Sequence, residues 1–376
     1  MLIATRPMVT ESDAPTASLG IPWPDLNEGL YYDDVISPRD SGLTLTEFYS
    51  TKHKSSAPLQ GWLTRICKGQ ITVDGVVIKE PNTMLRAGQR LVYHRLPWKE
   101  PEAPYSIEIL FDDNDIIVLN KPSGLQVLPG GLFQQRTVLK QLQRFQNQRG
   151  NGSNPVPVHR LGRGTSGILL CAKTKVAKTR LSSYFAHGTS MIGLKSVEES
   201  RSSKQKCFKI YRTIVQGIVS QEEITINQPI GVMQYPGVAK GLYVALPSGK
   251  PAQSIVKVLE RNLVNNHSLI QVLIETGRPH QIRIHLSFIG HPLLGDPLYG
   301  NGGMPKHHNN DMNEALAEDG GYTRPAQAVP GDCGYFLHAH QLTFPHPVAE
   351  EIVKVTAPLP STLQTSAEIE ASNFIS

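Results

Sequence analysis

The chain has 376 residues, 39% of them hydrophobic, enough for one sizeable core with one or two small appendages. No run approaches the ~18 apolar residues of a membrane span, and a formal charge of +5 is compatible with a polyanionic partner without requiring one. The four cysteines, Cys67, Cys171, Cys207 and Cys333, form no C-x-x-C pair, which argues against a zinc site or disulfide framework and for a reducing, intracellular setting.

Residues 1–42 are expected to be a leader, loose over the first thirty, where Pro7, Pro15, Pro22 and Pro24 fall. Arg6 is the only basic residue there, beside Glu11 and Asp13, a poor match to a targeting peptide. Leu45, Phe48 and Tyr49 then recur at helical spacing, as do Leu59, Trp62, Leu63 and Ile66, with Lys68-Gly69 closing the second segment. Asp74-Gly75 between two β-branched runs predicts a hairpin, and Leu85–Tyr93 completes a compact unit over 43–95. That unit resembles the alpha-L RNA-binding module known from a small-subunit ribosomal protein. The resemblance implies that Arg65, Lys68, Arg86 and Arg90, with Lys52, Lys54 and Arg95, meet phosphates. Residues 96–105 read as a proline-stiffened linker.

Beyond it, Ile107–Phe111 and Ile116–Asn120 read as strands, and Lys121-Pro122-Ser123-Gly124 ends the second. His159-Arg160-Leu161-Gly162-Arg163-Gly164-Thr165-Ser166-Gly167 is a loop, its three glycines allowing sharp turns and close approach to a ligand. It runs into Ile168–Ala172, a strand buried on both faces. Lys173–His187 is a helix with Val176, Ala177, Leu181, Tyr184 and Phe185 on its apolar side, and 188–206 is a Ser- and Lys-rich excursion. Lys209–Gly217 alternates as a strand. In Thr276–Pro292, Pro279 fits the first turn of a helix and Gly290 its end, Ile282, Leu286 and Ile289 share one face, and Arg283 points away from it. A long Gly/Asn-rich loop over 301–334, a closing strand at Leu337–Pro347 and a polar tail over 361–376 complete the chain. His280, His285 and His291 fall on different sides of a helix, so no metal is expected.

Three stretches in order, His159–Gly167 with its strand, Lys209-Ile210-Tyr211, and Thr276–Gly300, resemble the signatures of the RluA-type pseudouridine synthases. The resemblance spans about 107–360 and implies a catalytic domain over 106–360 with an α+β fold, a mainly antiparallel bent sheet flanked by helices and crossed by a cleft. It implies an isomerase that turns uridine into pseudouridine in structured RNA, ribosomal or transfer, without a cofactor; no membrane partner is expected, and of the open oligomeric states a monomer is favoured. Position by position, Arg160 matches the arginine that fills the gap left by an extruded base, and Tyr211 the aromatic that stacks on the uracil. Arg283 matches the arginine that pairs with the catalytic aspartate. His159, Thr165, Ser166, Lys209, Arg278, His280 and Gln281 are expected to line the substrate and RNA site.

One residue departs from the pattern: Gly162 stands where the family has its catalytic aspartate. Glycine is neither nucleophile nor base, so two readings stand. One is a synthase rearranged around a different acid, of which Asp296 is the nearest within the signatures. The other is an RNA-binding protein that keeps the pocket and has lost the chemistry. Without the aspartate, Arg283 should recruit another anion, a phosphate oxygen of bound RNA or another side chain.

Overall fold

The computed structural model describes residues 8–9, 18–150, 154–187, 207–235, 238–274, 276–306, 316–325, 331, 333–349 and 351–373. The expected excursion over 188–206 and the His307-His308 pair lie outside them. The first compact unit is a four-stranded sheet with two helices: β1 (Leu30–Val35), α1 (Leu45–Lys52), α2 (Leu59–Cys67), β2 (Ile71–Val73), β3 (Val76–Ile78) and β4 (Arg90–Arg95). Thr44 caps α1 and Glu47 returns the bond, a reciprocal pair that sets where the helix begins. The unit has its own core, in which Phe48, Tyr49, Trp62, Ile66 and Tyr93 are all buried. The leader is looser in expectation than in structure. Leu30–Val35 zips along β4, and residues 18–19 pair with Ile107 and Glu108, because β4 and the first strand of the large sheet otherwise present open edges.

The linker is pinned rather than free. Trp98 is buried with its indole N–H on the Leu132 carbonyl, and the buried Glu100 carboxylate accepts from the backbone N–H of Gln134, Gln135 and Arg136 and from Asn27.

The large sheet follows: β5 (Ile107–Asp112), β6 (Ile116–Lys121), α3 (Val138–Arg149), β7 (Ser166–Ala172), α4 (Lys175–His187), β8 (Phe208–Gln216), β9 (Glu223–Ile226), the hairpin β10 (Ile230–Tyr235) and β11 (Val238–Ala245), β12 (Ser254–Asn262), β13 (His267–Ile274), α5 (Gln281–Phe288), the small hairpin β14 (Leu316–Glu318) and β15 (Thr323–Pro325), β16 (Leu337–Pro345), β17 (Ile352–Thr356) and α6 (Ser366–Asn373). Spatial order is β9-β12-β13-β8-β16-β7-β6-β5, with residues 18–19 on the far edge and β17 beside β16. The fold is α+β and its sheet is mainly antiparallel, as expected. Within it β7 and β16 run parallel, Ser166 opposite His338 and Gly167 opposite Ala339.

Three smaller expectations are corrected. Val176 is 53% exposed, because α4 rests on the sheet through Ala177 and Leu181. Pro279 lies before α5, whose N-cap is His280 in the left-handed region. The tail carries α6, held by Glu368, which accepts from both terminal nitrogens of Arg212 at 2.8 and 3.0 Å.

A cleft where two parallel strands begin

Parallel pairing brings the starts of β7 and β16 to the same end of the sheet, so the loop before Ser166 and the residues before Leu337 meet. Gly167 makes the approach possible. Its φ is +99°, and a Cβ there would stand 2.3 Å from the Ala339 carbonyl oxygen. On the other side of Ala339 lies Tyr211 of β8, next to a bulge that shifts the register after Ile210 and re-aims the tyrosine. From below, the buried Lys121 ammonium donates to the carbonyls of Pro122, Leu125 and Arg163, while Ser123 donates to Gly164 and the Gly124 N–H to Arg163. The Lys-Pro-Ser-Gly turn is therefore the brace of the His159–Gly167 loop.

The resulting cleft, with a cavity volume of about 90 Å³, is lined by Arg160, Leu161, Gly162, Thr165, Tyr211, Ile274, Arg278, His280, Gln281, Ile282, Arg283, Tyr335 and Leu337. Arg160 is exposed at its mouth, and Tyr211 is 8% exposed within it. His280 is oriented through Tyr299. That phenol donates to the Tyr243 carbonyl at 2.8 Å, so it accepts from His280 Nδ1, also at 2.8 Å, which fixes the proton on Nδ1 when the ring is neutral. Gln281, expected to line the RNA site, is in the cleft wall and is held there by protein groups. Its Oε1 accepts from Thr276 and the Arg278 N–H, and its Nε2 donates to Gln253 and Ser254. With all four hydrogen-bonding positions spent, Gln281 braces the turn into α5.

Arg283, 2% exposed, has found its anion in the protein itself. Nε donates to Asp296 Oδ2 at 2.7 Å and Nη2 to Oδ1 at 2.8 Å. Burial is the largest single effect and penalises both charges, but the forked hydrogen bond and the Coulombic attraction of neighbouring groups together outweigh it, raising the guanidinium pKa and lowering that of the carboxyl. Asp296 also accepts from the N–H groups of Leu298 and Tyr299, both on Oδ1. This overturns Asp296 as a replacement acid: it is buried, committed to four donors and absent from the cleft wall. Among the described residues no Asp or Glu lines the cleft. What faces Gly162 is Tyr335, 5% exposed, whose Oη lies 3.3 Å from Thr165 Oγ1 and whose ring lies 4.3 Å from Arg283 Cζ. Tyr335 was missed in the sequence. Its signal was a bulky residue two places before the closing strand, opposite a site that had lost its own side chain.

The remaining expected site residues lie elsewhere. His159 and Lys209 line a smaller neighbouring cavity with Tyr211. His159 Nε2 accepts from the Leu170 N–H at 3.0 Å, and burial with the nearby Lys209 charge depresses its pKa to about 3. Burial likewise lowers Lys209 to about 8, its ammonium sitting over the Phe185 ring. Ser166 pairs with His338 Nδ1 at 2.9 Å. In the N-terminal unit, Arg65 is corrected outright. It is fully buried over Trp62, Tyr93 and Tyr322 and donates to Asp319, because the turn after β14 docks there. Arg95 and Arg324 converge on the same Asp319 carboxylate. Lys68 donates to the Gly321 carbonyl, Arg90 forks onto Asp33, and Arg86 is exposed.

A family model described as RNA pseudouridylate synthase matches residues 115–288. RNA pseudouridine synthase 5 of Arabidopsis thaliana is 60% identical over 365 residues, which cover 94% of this chain and 99% of that protein. The protein of the same name from Oryza sativa subsp. japonica is 57% identical, covering 93% and 92%. Ribosomal large subunit pseudouridine synthase D of Pseudomonas aeruginosa is 33% identical over 310 residues, covering 81% and 84%.

Proposed function

This chain belongs to the RNA pseudouridylate synthase family, and on that premise we infer that it isomerises uridine to pseudouridine in RNA. The observation that carries the reading is the convergence of Arg160, Tyr211 and Arg283 on one cleft. A uridine entering it must leave its stack, and Arg160 at the mouth is placed to fill the gap. Tyr211 provides an aromatic face for the uracil, and His280 and Arg278 provide donors on the α5 side.

Structured ribosomal RNA is the substrate class we favour over transfer RNA, since one relative is named for the large ribosomal subunit. The N-terminal unit, proposed over 43–95 as an alpha-L-like RNA grip, supports this with exposed Lys54 and Arg86. The catalytic domain is proposed over 106–360, acting as a monomer.

A second reading, an RNA-binding protein without turnover, is favoured by one observation, the lack of a carboxylate among the described cleft residues. Mapping pseudouridines by carbodiimide primer extension in RNA from cells with and without the gene separates the two. A modification lost on deletion and restored by the native sequence establishes turnover. An unchanged map with retained RNA binding leaves the binder.

A further inference from the structure

Gly162 does not need to be glycine for its backbone: its φ lies outside the left-handed region. What a side chain there would have to displace is the tip of a neighbour. A Cβ built on it would stand 2.9 Å from Tyr335 Oη and 3.3 Å from Thr165 Oγ1. The phenol oxygen thus occupies the volume into which a side chain at 162 would project. We propose that Tyr335 is the catalytic nucleophile of this chain, its phenol oxygen standing in for the carboxylate that position 162 has lost. The inference rests on the synthase reading above.

Three features of the site fit the role. The oxygen reaches the cleft from the same side as the His159–Gly167 loop. The Arg283 guanidinium faces the Tyr335 ring and favours charge on it. Thr165 Oγ1 can donate to the phenolate. Among the described residues, the other charged and titratable groups near the ring are Asp296 and Tyr299 beside Arg283, with Arg160, Arg278 and His280 lining the same cleft. Phenolates serve as anomeric nucleophiles in sialidases, so the chemistry has a known counterpart.

The step balances without a co-reactant. The phenol proton passes to water. Oη then bonds to C1′ of the ribose as the N1–C1′ bond breaks, its electron pair leaving with the uracil. The uracil turns, C5 bonds to C1′, and the C1′–Oη bond breaks with its pair returning to the phenolate. The C5 proton is lost to water and N1 takes one up, leaving an isomer of the starting uridine.

The test measures tritium release from ribosomal and transfer RNA transcripts labelled with [5-³H]uridine, using the full chain, Tyr335→Phe, the double variant Gly162→Asp/Tyr335→Phe and Glu275→Gln, which removes the acid that follows the cleft residue Ile274 in sequence. Tyr335→Phe is expected to lower release at least about 100-fold while filter-binding affinity stays within about threefold. Native release should climb from about pH 6 to about pH 9, as a phenolate requires, and the double variant should regain turnover with that climb gone. 5-Fluorouridine transcripts should trap an adduct on the Tyr335 peptide in mass spectrometry, a readout independent of variant folding. The proposal is overturned if Tyr335→Phe releases tritium within about threefold of the native chain, if Glu275→Gln alone abolishes release, or if the adduct maps elsewhere. Release by the double variant but not by the native chain overturns the nucleophile and leaves the pocket standing. Silence from both overturns the synthase reading itself.

Discussion

Arg283 and Asp296 form a forked ion pair beneath the cleft, two hydrogen bonds of 2.7 and 2.8 Å between groups that are 2% and 1% exposed. The pair holds a guanidinium that a nucleophilic aspartate would otherwise hold, and it leaves Nη1 without an acceptor among the described residues. A carbonyl or phosphate oxygen of bound RNA fits that last donor.

Asp296→Asn strands a buried charge. Breaking such a pair costs about 3–5 kcal/mol, so the urea midpoint should fall sharply. A midpoint unchanged within error would show that the pair contributes nothing. Arg283→Ala should fail in the same way, so a drop in its RNA affinity has to be read beside its stability.

Gly167→Ala introduces the Cβ that the Ala339 carbonyl excludes, at a residue whose φ is +99°. The β7–β16 seam should open and stability fall by about 3 kcal/mol or more. Thermal unfolding of the variant decides it, and a small shift would mean that the parallel pairing is soft.

Arg160→Ala removes an exposed side chain, so the unfolding midpoint should move by no more than about 0.5 kcal/mol equivalent. If Arg160 fills the stack behind the extruded uridine, RNA affinity should weaken about tenfold. A filter-binding titration that finds native affinity would remove Arg160 from the site.

Three histidines carry an acid sensitivity. Burial holds His159 neutral down to about pH 3, and His285 and His338 down to about 4. In the unfolded chain each takes its proton near pH 6.5. The folded pKa values are depressed, so stability is full above that value and is lost as pH falls from about 6.5 towards 4, at roughly 1.4 kcal/mol per unit per histidine as an upper bound. Buried carboxyls with lowered pKa, such as Asp296, act in the same direction, starting lower. Urea midpoints at about pH 7.5 and pH 5 should differ plainly, and equal midpoints would show the rings to be accessible to protons.

Asp319→Asn should undo a buried knot rather than a surface bridge, since Arg65, Arg95 and Arg324 all converge on that carboxylate. The expected cost is about 3–5 kcal/mol, seen as a separate early unfolding transition of the N-terminal unit. A single unshifted transition would deny the coupling.

Much of this was legible in the chain. The Asp74-Gly75 hairpin, the buried run Ile168–Ala172 and the strands carrying Tyr211 and Leu337 are short local patterns, and local physics fixes them. Strands β9 to β13 gave weaker signals, because alternation in paired strands depends on which neighbour covers each face. Arg65 was misread for a related reason. A cation on a small basic unit looks solvated until a turn more than 250 residues away supplies its carboxylate and carbonyl. Tyr335 was invisible as a wall of the cleft because only the parallel β7–β16 seam brings it there, and Asp296 was noted as an acid but not as the fixed partner of Arg283, which only the turn after α5 makes it. The position of Gly162 was plain, but the reason for its bareness lay 173 residues on.

The Asp319 knot also sets a distance. Because a turn of the large domain is clenched by the small one, and Trp98 and Glu100 pin the chain between them, whatever the small unit grasps is presented at a constant offset from the cleft mouth. With the small unit as the RNA grip proposed above, the protein would work as a pair of calipers, and the uridines it could serve would be those whose RNA carries a handhold at that one span.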